Sequence, residues 1–258
     1  MYLLGDIGRT NTRLALSHDG KEIDLTLIKP TPTEFDQGLE LVKNLSKQLL
    51  AEAKPSGVCL GISRKVWTGS PLEEKLAEFF QTKVLIENDS ALVGLGEAVY
   101  GAGRGAGLLA YLTVSTGIGG VRIENGQIAR SARGFEPGEQ IIIVGDKQEK
   151  LENLVSGQAV SAKYGCHPKE ITDEKIWLKL SHFLTIGVTN TLLHWSPEVL
   201  ILGGSMFKQP GFKVETIQTL LPQYLQIFPA LPELRLGVLG DTGGLYGALA
   251  LVTEDERG

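Results

Sequence analysis

Two glycine- and threonine-rich turns constrain this chain more than any other feature. The first runs Leu4-Gly5-Asp6-Ile7-Gly8-Arg9-Thr10-Asn11-Thr12, and the second runs Leu112-Thr113-Val114-Ser115-Thr116-Gly117-Ile118-Gly119-Gly120. Each follows an apolar, strand-like run (Tyr2 to Leu4; Leu108 to Leu112) and leads into another (Arg13 to Leu16; Val121 to Ile123). Glycine has no side chain and tolerates unusual dihedrals, so a strand–turn–strand of this kind lets backbone N–H groups approach a phosphate. One such turn is a hairpin. Two predict half-domains that grip one nucleoside triphosphate from opposite sides.

The rest of the chain has room for this. Its 258 residues can bury a full core as one large domain or two small ones. A net charge of -5 argues against broad nucleic-acid binding. No positively charged leader with an apolar run and cleavage site is visible, and no stretch approaches the ~20 apolar residues of a membrane span, so a soluble cytoplasmic protein is expected. Cys59 and Cys166 lie far apart, which fits a reducing compartment. The four histidines share no metal-ligand spacing.

Three strands are predicted first, Tyr2–Gly5, Thr12–Ser17 and Asp24–Lys29. Thr33 then caps a helix whose apolar stripe is Phe35, Leu39, Val42, Leu45 and Leu49. Strands at Val58–Ile62 and Lys83–Glu87 flank a helix at Pro71–Gln81, and a small-residue helix follows from Asp89 to Tyr100. The glycine-rich stretch 101–107 marks the expected boundary between a domain at 1–100 and a second at 101–244, with a final helix at 245–258 packed on the first. In the second half we expect helices at Lys150–Tyr164, Asp173–Trp195 and Val214–Phe228, and strands at Glu198–Leu202 and Leu234–Val238; the longest apolar run, Ile141–Val144, is only strand-sized. Both halves open β-rich and continue in αβ alternation, the pattern of a duplicated α/β architecture.

Two carboxylates invite a chemical role. Asp6 ends an apolar strand before a glycine turn, where it either closes a hairpin or holds magnesium beside phosphates. Asp89 stands at a strand-to-helix junction, either as an N-cap or, with Asn88, projecting at the strand's carboxyl edge where ligands of α/β sheets gather. In the second case Asp89 can take the proton of a hydroxyl attacking phosphorus. Trp67 is open between stacking on a sugar and packing; Arg64 and Lys65 read as solvated loop charges, and Cys166-His167 lacks a third ligand for a metal.

These segments resemble the repressor–open-reading-frame–kinase (ROK) family of bacterial sugar kinases and glucokinases. The resemblance continues through Gly138-Glu139, Leu151-Glu152-x-x-x-Ser156-Gly157, the 197–205 segment with Gly203-Gly204, and the 239–248 segment, in the family's order. It implies the ribonuclease-H-like, actin/hexokinase ATPase fold, with two duplicated α/β domains around a cleft, and an ATP-dependent hexokinase. Asp6 would serve magnesium through water. Gly8, Thr10 and Asn11 would form the first phosphate turn, and Thr116, Gly117 and Gly119 the second. Gly203 and Gly204 would line the adenosine pocket, where a bulkier side chain would clash with the nucleotide. Asn88, Asp89, Glu139 and Glu152 would bind the sugar, with Asp89 the catalytic base acting on the 6-hydroxyl of a hexose such as glucose. Mannose, fructose, an N-acetylhexosamine, or a degenerate protein that binds sugar without catalysis are the alternatives. The first strand is read from residue 2, so the helix-turn-helix of the family's repressors is not expected. A homodimer is the family's habit.

Three departures fall on the sugar side. Ile142 stands where the family has a sugar-contacting histidine. The cysteine-rich zinc loop before Glu152 is replaced by Lys147-Gln148-Glu149-Lys150, so no zinc site is expected. Gly61-Ile62-Ser63-Arg64-Lys65 replaces a glycine–proline–glycine turn.

Overall fold

The structure, a computed structural model, describes residues 1–255. Along the chain the elements are β1 (Tyr2–Ile7), β2 (Asn11–Ser17), β3 (Leu25–Pro30), α1 (Phe35–Leu50), β4 (Gly57–Ile62), α2 (Leu72–Phe80), β5 (Val84–Asn88) and α3 (Asp89–Val99). There follow β6 (Leu108–Val114), β7 (Ile118–Glu124), β8 (Gln127–Ile128), β9 (Ile141–Val144), β10 (Lys147–Lys150), α4 (Leu151–Val155) and α5 (Gly157–Tyr164). The last elements are α6 (Glu174–Trp195), β11 (Val199–Gly203), α7 (Val214–Leu220), β12 (Glu233–Leu236) and α8 (Gly243–Asp255); 256–258 of the expected final helix lie outside the described residues. The chain divides into two compact units, one of Met1–Tyr100 with the segment from Asp241, the other of Gly101–Gly240.

The first unit is built on a sheet in the order β3-β2-β1-β4-β5. β1 pairs antiparallel with β2 and parallel with β4, and β4 pairs parallel with β5. The stripe of α1 does what its period requires: Leu39, Val42, Leu45 and Leu49 are buried against Leu3, Ile7, Leu14 and Leu60 of the sheet. Each such side chain contributes about 1.5–3 kcal/mol by leaving water. The helix begins one residue later than the Thr33 cap implies: Glu34 is the N-cap and makes no side-chain cap bond.

α3 and α8 pack together, with α8 lying against β1 and β4. Their backbones approach so closely that a Cβ on Gly96 would overlap the Gly243 carbonyl, and one on Gly247 would overlap the Leu92 carbonyl. Small residues are needed here by helix against helix.

The second unit repeats the plan, with the sheet order β12-β11-β6-β7-β8. Its hairpin β6–β7 is antiparallel, and β11 pairs parallel with both β6 and β12. In both units, then, the first strand is central, hairpinned on one side and joined by parallel strands on the other. The core of the second unit gathers Leu112, Leu151, Leu184, Leu200 and Leu202 with Trp177.

Two predicted helices are shorter than their periodicity. Lys150–Tyr164 is broken at Ser156, whose extended backbone ends α4 and whose Oγ accepts from the Ala159 N–H as the N-cap of α5. Val214–Phe228 stops at Leu220, giving way to a single 3-10 turn carrying Pro222, which cannot donate into a helix. Lys147–Lys150 was not expected as a strand. It pairs with β9 across a tight turn whose Gly145 has φ of 62°.

Candidate active site

Strand register brings the first set of side chains together. Asp6 lies opposite Gly61, which lies opposite Glu87, and Ile7, Ile62 and Asn88 follow in the next row. Three parallel strands therefore end level, with Asp6 just inside the edge and Asp89 just beyond it. This carboxyl edge is where open α/β sheets receive ligands.

The hairpin places Arg13 opposite Asp6, and its Nη1 lies 3.3 Å from Asp6 Oδ2. Gly244, at the start of α8, closes over the same carboxylate: a Cβ there would lie 3.3 Å from Asp6 Cγ. Burial pushes the Asp6 carboxyl up to about 6, against the pull of Arg13, and the charges of Asp89 and Asp241 raise it further. Among the described residues no group of three or more His, Cys, Asp or Glu is arranged to hold a metal ion directly. Crowded carboxylates do suit magnesium, which binds through one or two carboxylates and keeps several waters.

The expected alternatives at 88 and 89 divide between the two residues. Asn88 is the N-cap of α3: its Oδ1 accepts from the Ser90 N–H at 3.1 Å and the Ala91 N–H at 3.2 Å. Its amide N–H groups can still donate outward. Asp89 Oδ1 accepts from the Ser90 N–H at 2.8 Å, and the Ser63 hydroxyl also bonds the side chain. Burial raises the Asp89 carboxyl above the usual range, opposed by the Ser90 bond and by the Arg9 charge. The result is a half-buried carboxylate with raised basicity, held in place by the helix it begins.

Both turns are fixed by bonds that leave their tips alone. In the first, the Gly8 N–H donates to Asn11 O at 3.0 Å, the Thr31 N–H donates to Thr10 O at 3.0 Å, and the Thr31 hydroxyl donates to Gly8 O at 2.7 Å. Arg9 and Thr10 are exposed. Gly8 has room for a Cβ, whose nearest neighbour would be Asn11 O at 3.5 Å. The fold itself does not demand glycine there.

In the second turn the Ser115 N–H donates to Gly117 O at 2.8 Å. The break at Ser156 brings α5 against it, with Gly157 N–H donating to Ser115 O at 2.7 Å and Gln158 N–H to Thr116 O at 3.2 Å. Glu152 Oε2 takes the Ile118 N–H at 2.9 Å, and a Cβ on Gly117 would lie 2.7 Å from that oxygen. The N–H groups of Thr116 and Gly117 are spent on none of these bonds. Beside the turn lies a cavity of about 250 Å³ lined by Thr116, Gly157, Gln158, His167, Ser205 and Met206. That is slightly below the ~300–1,000 Å³ usual for small-ligand pockets.

Gly119 sits within β7, opposite Thr113, rather than in the turn. Gly203 and Gly204 have an internal reason to be glycine: a Cβ on Gly203 would lie 2.8 Å from the Tyr111 hydroxyl, and Gly204 has φ of 98°. The expected clash with a nucleotide is not needed to explain them. Glu139, on a 3-10 turn (Pro137–Glu139), is half exposed, with Lys150 Nζ 2.5 Å from its Oε2. Ile142 is buried in the core. Trp67 is a packing residue: it is buried against Phe35, and its Nε1–H donates to Pro32 O at 3.1 Å. His167 Nδ1 takes the Lys169 N–H. Sequence reasoning missed Arg13, Ser63 and Asp241 around the carboxylates. Arg13 was findable, because a hairpin pairing Ile7 with Thr12 sets Arg13 against Asp6.

Two sheets of one topology, each with a hairpin turn and parallel strands, define the actin/hexokinase-like ATPase fold. The ROK hexokinase of Thermus thermophilus superposes with a TM-score of 0.84 at 25% identity, covering 99% of both chains. A ROK glucokinase from Streptomyces griseus, solved with glucose and AMPPNP, superposes with a TM-score of 0.80 at 18% identity over 98% of this chain and 99% of that one. Profile matching agrees over residues 4–255, and the chain belongs to the ROK family. Its relatives include a glucokinase of Halalkalibacterium halodurans, 24% identical over 99% of this chain and 96% of the relative. A fructokinase of Lactococcus lactis is 26% identical over 79% of this chain and 76% of the relative. The family also reaches a xylose repressor of Bacillus spizizenii, 25% identical over 73% of this chain and 55% of the relative.

Proposed function

We propose that the protein is an ATP-dependent sugar kinase that phosphorylates a hydroxyl, the 6-hydroxyl in a hexose such as glucose. The observation that carries this is the pair Asp6 and Asp89 at one strand edge, both with carboxyls pushed upward by burial. The sugar hydroxyl gives its proton to Asp89 while its oxygen bonds the γ-phosphorus and the bond to ADP breaks. Asn88 donates to a neighbouring sugar oxygen, and Glu139 and Glu152 accept from other hydroxyls. Gly8, Thr10, Asn11, Thr116 and Gly117 offer backbone and side-chain donors to the phosphates, where preorganised dipoles stabilise developing charge. Gly119, Gly203 and Gly204 shape the nucleotide side through the backbone. Asp6 would hold magnesium through water; when bound, the ion neutralises charge on the phosphate oxygens.

Fructose, mannose and N-acetylhexosamines are the competing substrates. Burial of Ile142 in place of a sugar-contacting histidine favours a second reading, a protein that binds sugar without transferring phosphate. A cytoplasmic homodimer completes the proposal. The test is a coupled ADP-release assay across these hexoses with magnesium and ATP. Sugar-dependent ADP release supports the kinase. Sugar binding by calorimetry with no turnover on any hexose overturns it in favour of the second reading.

A further inference from the structure

The β9–β10 hairpin occupies the stretch between two carboxylates, Glu139 before it and Glu152 after it. Its register sets Lys150 opposite Ile141, at the end where the hairpin runs back into the 3-10 turn and forward into α4. Ile142 faces inward and is buried, so the hairpin is anchored in the core. Lys150 is the N-cap residue of α4, and its exposed side chain reaches back until Nζ stands 2.5 Å from Glu139 Oε2. The ammonium also feels the Glu152 charge, and both carboxylates keep it protonated. Glu152 is itself tied to the second turn through the Ile118 N–H. Lys150 thus touches Glu139 directly and is linked to that turn only through the charge of Glu152.

A carboxylate on a half-exposed 3-10 turn would otherwise sample several rotamers. An ammonium against one oxygen selects among them and leaves the other oxygen to accept. We propose that Lys150 is a positioning residue of the sugar edge, holding the Glu139 carboxylate ready for a sugar hydroxyl. This rests on the sugar-kinase function proposed above. Fixing a side chain before binding removes an ordering cost equivalent to about two- to tenfold in affinity.

The test uses the full chain and the hexose it turns over fastest, at saturating ATP. Lys150→Met is expected to raise the sugar KM two- to tenfold, with kcat and the ATP KM within twofold of wild type, and Lys150→Arg to restore most of the loss. The wild-type sugar KM rises with sodium chloride as the pair is screened, whereas that of Lys150→Met does not. Glu139→Gln raises KM too, and the double variant is no worse than Glu139→Gln alone. An unchanged sugar KM in Lys150→Met, a fall in kcat instead, or additive effects in the double variant overturns the positioning role. Wild-type protein that phosphorylates no sugar brings down the parent function as well, and that outcome is visible before any substitution is made.

Discussion

Replacing Asp6 by Asn should make the folded protein more stable in alkaline solution while removing its turnover. Burial, with the nearby charges of Asp89 and Asp241, moves this carboxyl from 3.8 to about 6 against the pull of Arg13. Two pH units correspond to about 3 kcal/mol between protonation states. The folded chain binds the Asp6 proton more tightly than the unfolded chain does. Stability from this group is therefore fully present below about pH 4 and is lost as the pH climbs through 6. Asn carries no such dependence. Both forms keep a polar group facing Arg13, so a change in their stability difference with pH isolates ionisation from the altered contact. Urea unfolding in EDTA is the assay, run on both forms at several pH values. Between about pH 4 and pH 8 the variant should gain about 2–3 kcal/mol relative to wild type. A difference that stays flat across this range would refute the claim that the fold opposes a charged Asp6. Loss of turnover in the same variant would show that the unfavourable charge is kept for function.

The remaining predictions concern chemistry and packing. Asp89→Asn should lower kcat by about 10²–10⁴, without loss of folding, because its side-chain oxygen can still accept the Ser90 N–H; steady-state kinetics and a thermal melt check both. In wild type, kcat/KM should fall as the solution is acidified through a pKa above the ordinary carboxylate range, since burial raises Asp89 and only its ionised form accepts a proton. Trp67→Ala should cost about 3–5 kcal/mol in urea unfolding yet leave the sugar KM near wild type; a large KM change with little loss of stability would revive the stacking role. Gly247→Ala should destabilise by about 1–3 kcal/mol, because the added methyl meets the Leu92 carbonyl where α3 and α8 cross.

Local signals carried most of the fold. The stripe in α1, the strands of the β1–β2 and β6–β7 hairpins and the largely buried β4 and β11 are visible in sequence because periodicity and apolar runs report burial directly. Signals that depend on distant partners were harder to read. Ser156 breaks an otherwise continuous helical pattern because Gly157 must meet Ser115 O across the unit. Gly203 and Gly204 are dictated by Tyr111 and the backbone around Val114, residues remote in sequence. The hairpin strand Lys147–Lys150 is entirely polar or charged, and only pairing with β9 reveals it. At the site, Asp6 and Asp89 were legible because each ends or follows an apolar strand. The cap at Asn88 rather than Asp89 was not, since either side chain can reach the same N–H groups.

The return of α8 to the first unit has a consequence for how the protein is made. The helix beginning at Gly243 is needed to cover β1 and β4, strands that are synthesised long before it. The second unit is one unbroken stretch, so it can acquire its tertiary structure while the older polypeptide waits with one sheet face bare. Biogenesis thus runs against the order of synthesis: of the two units, the one begun earlier matures later.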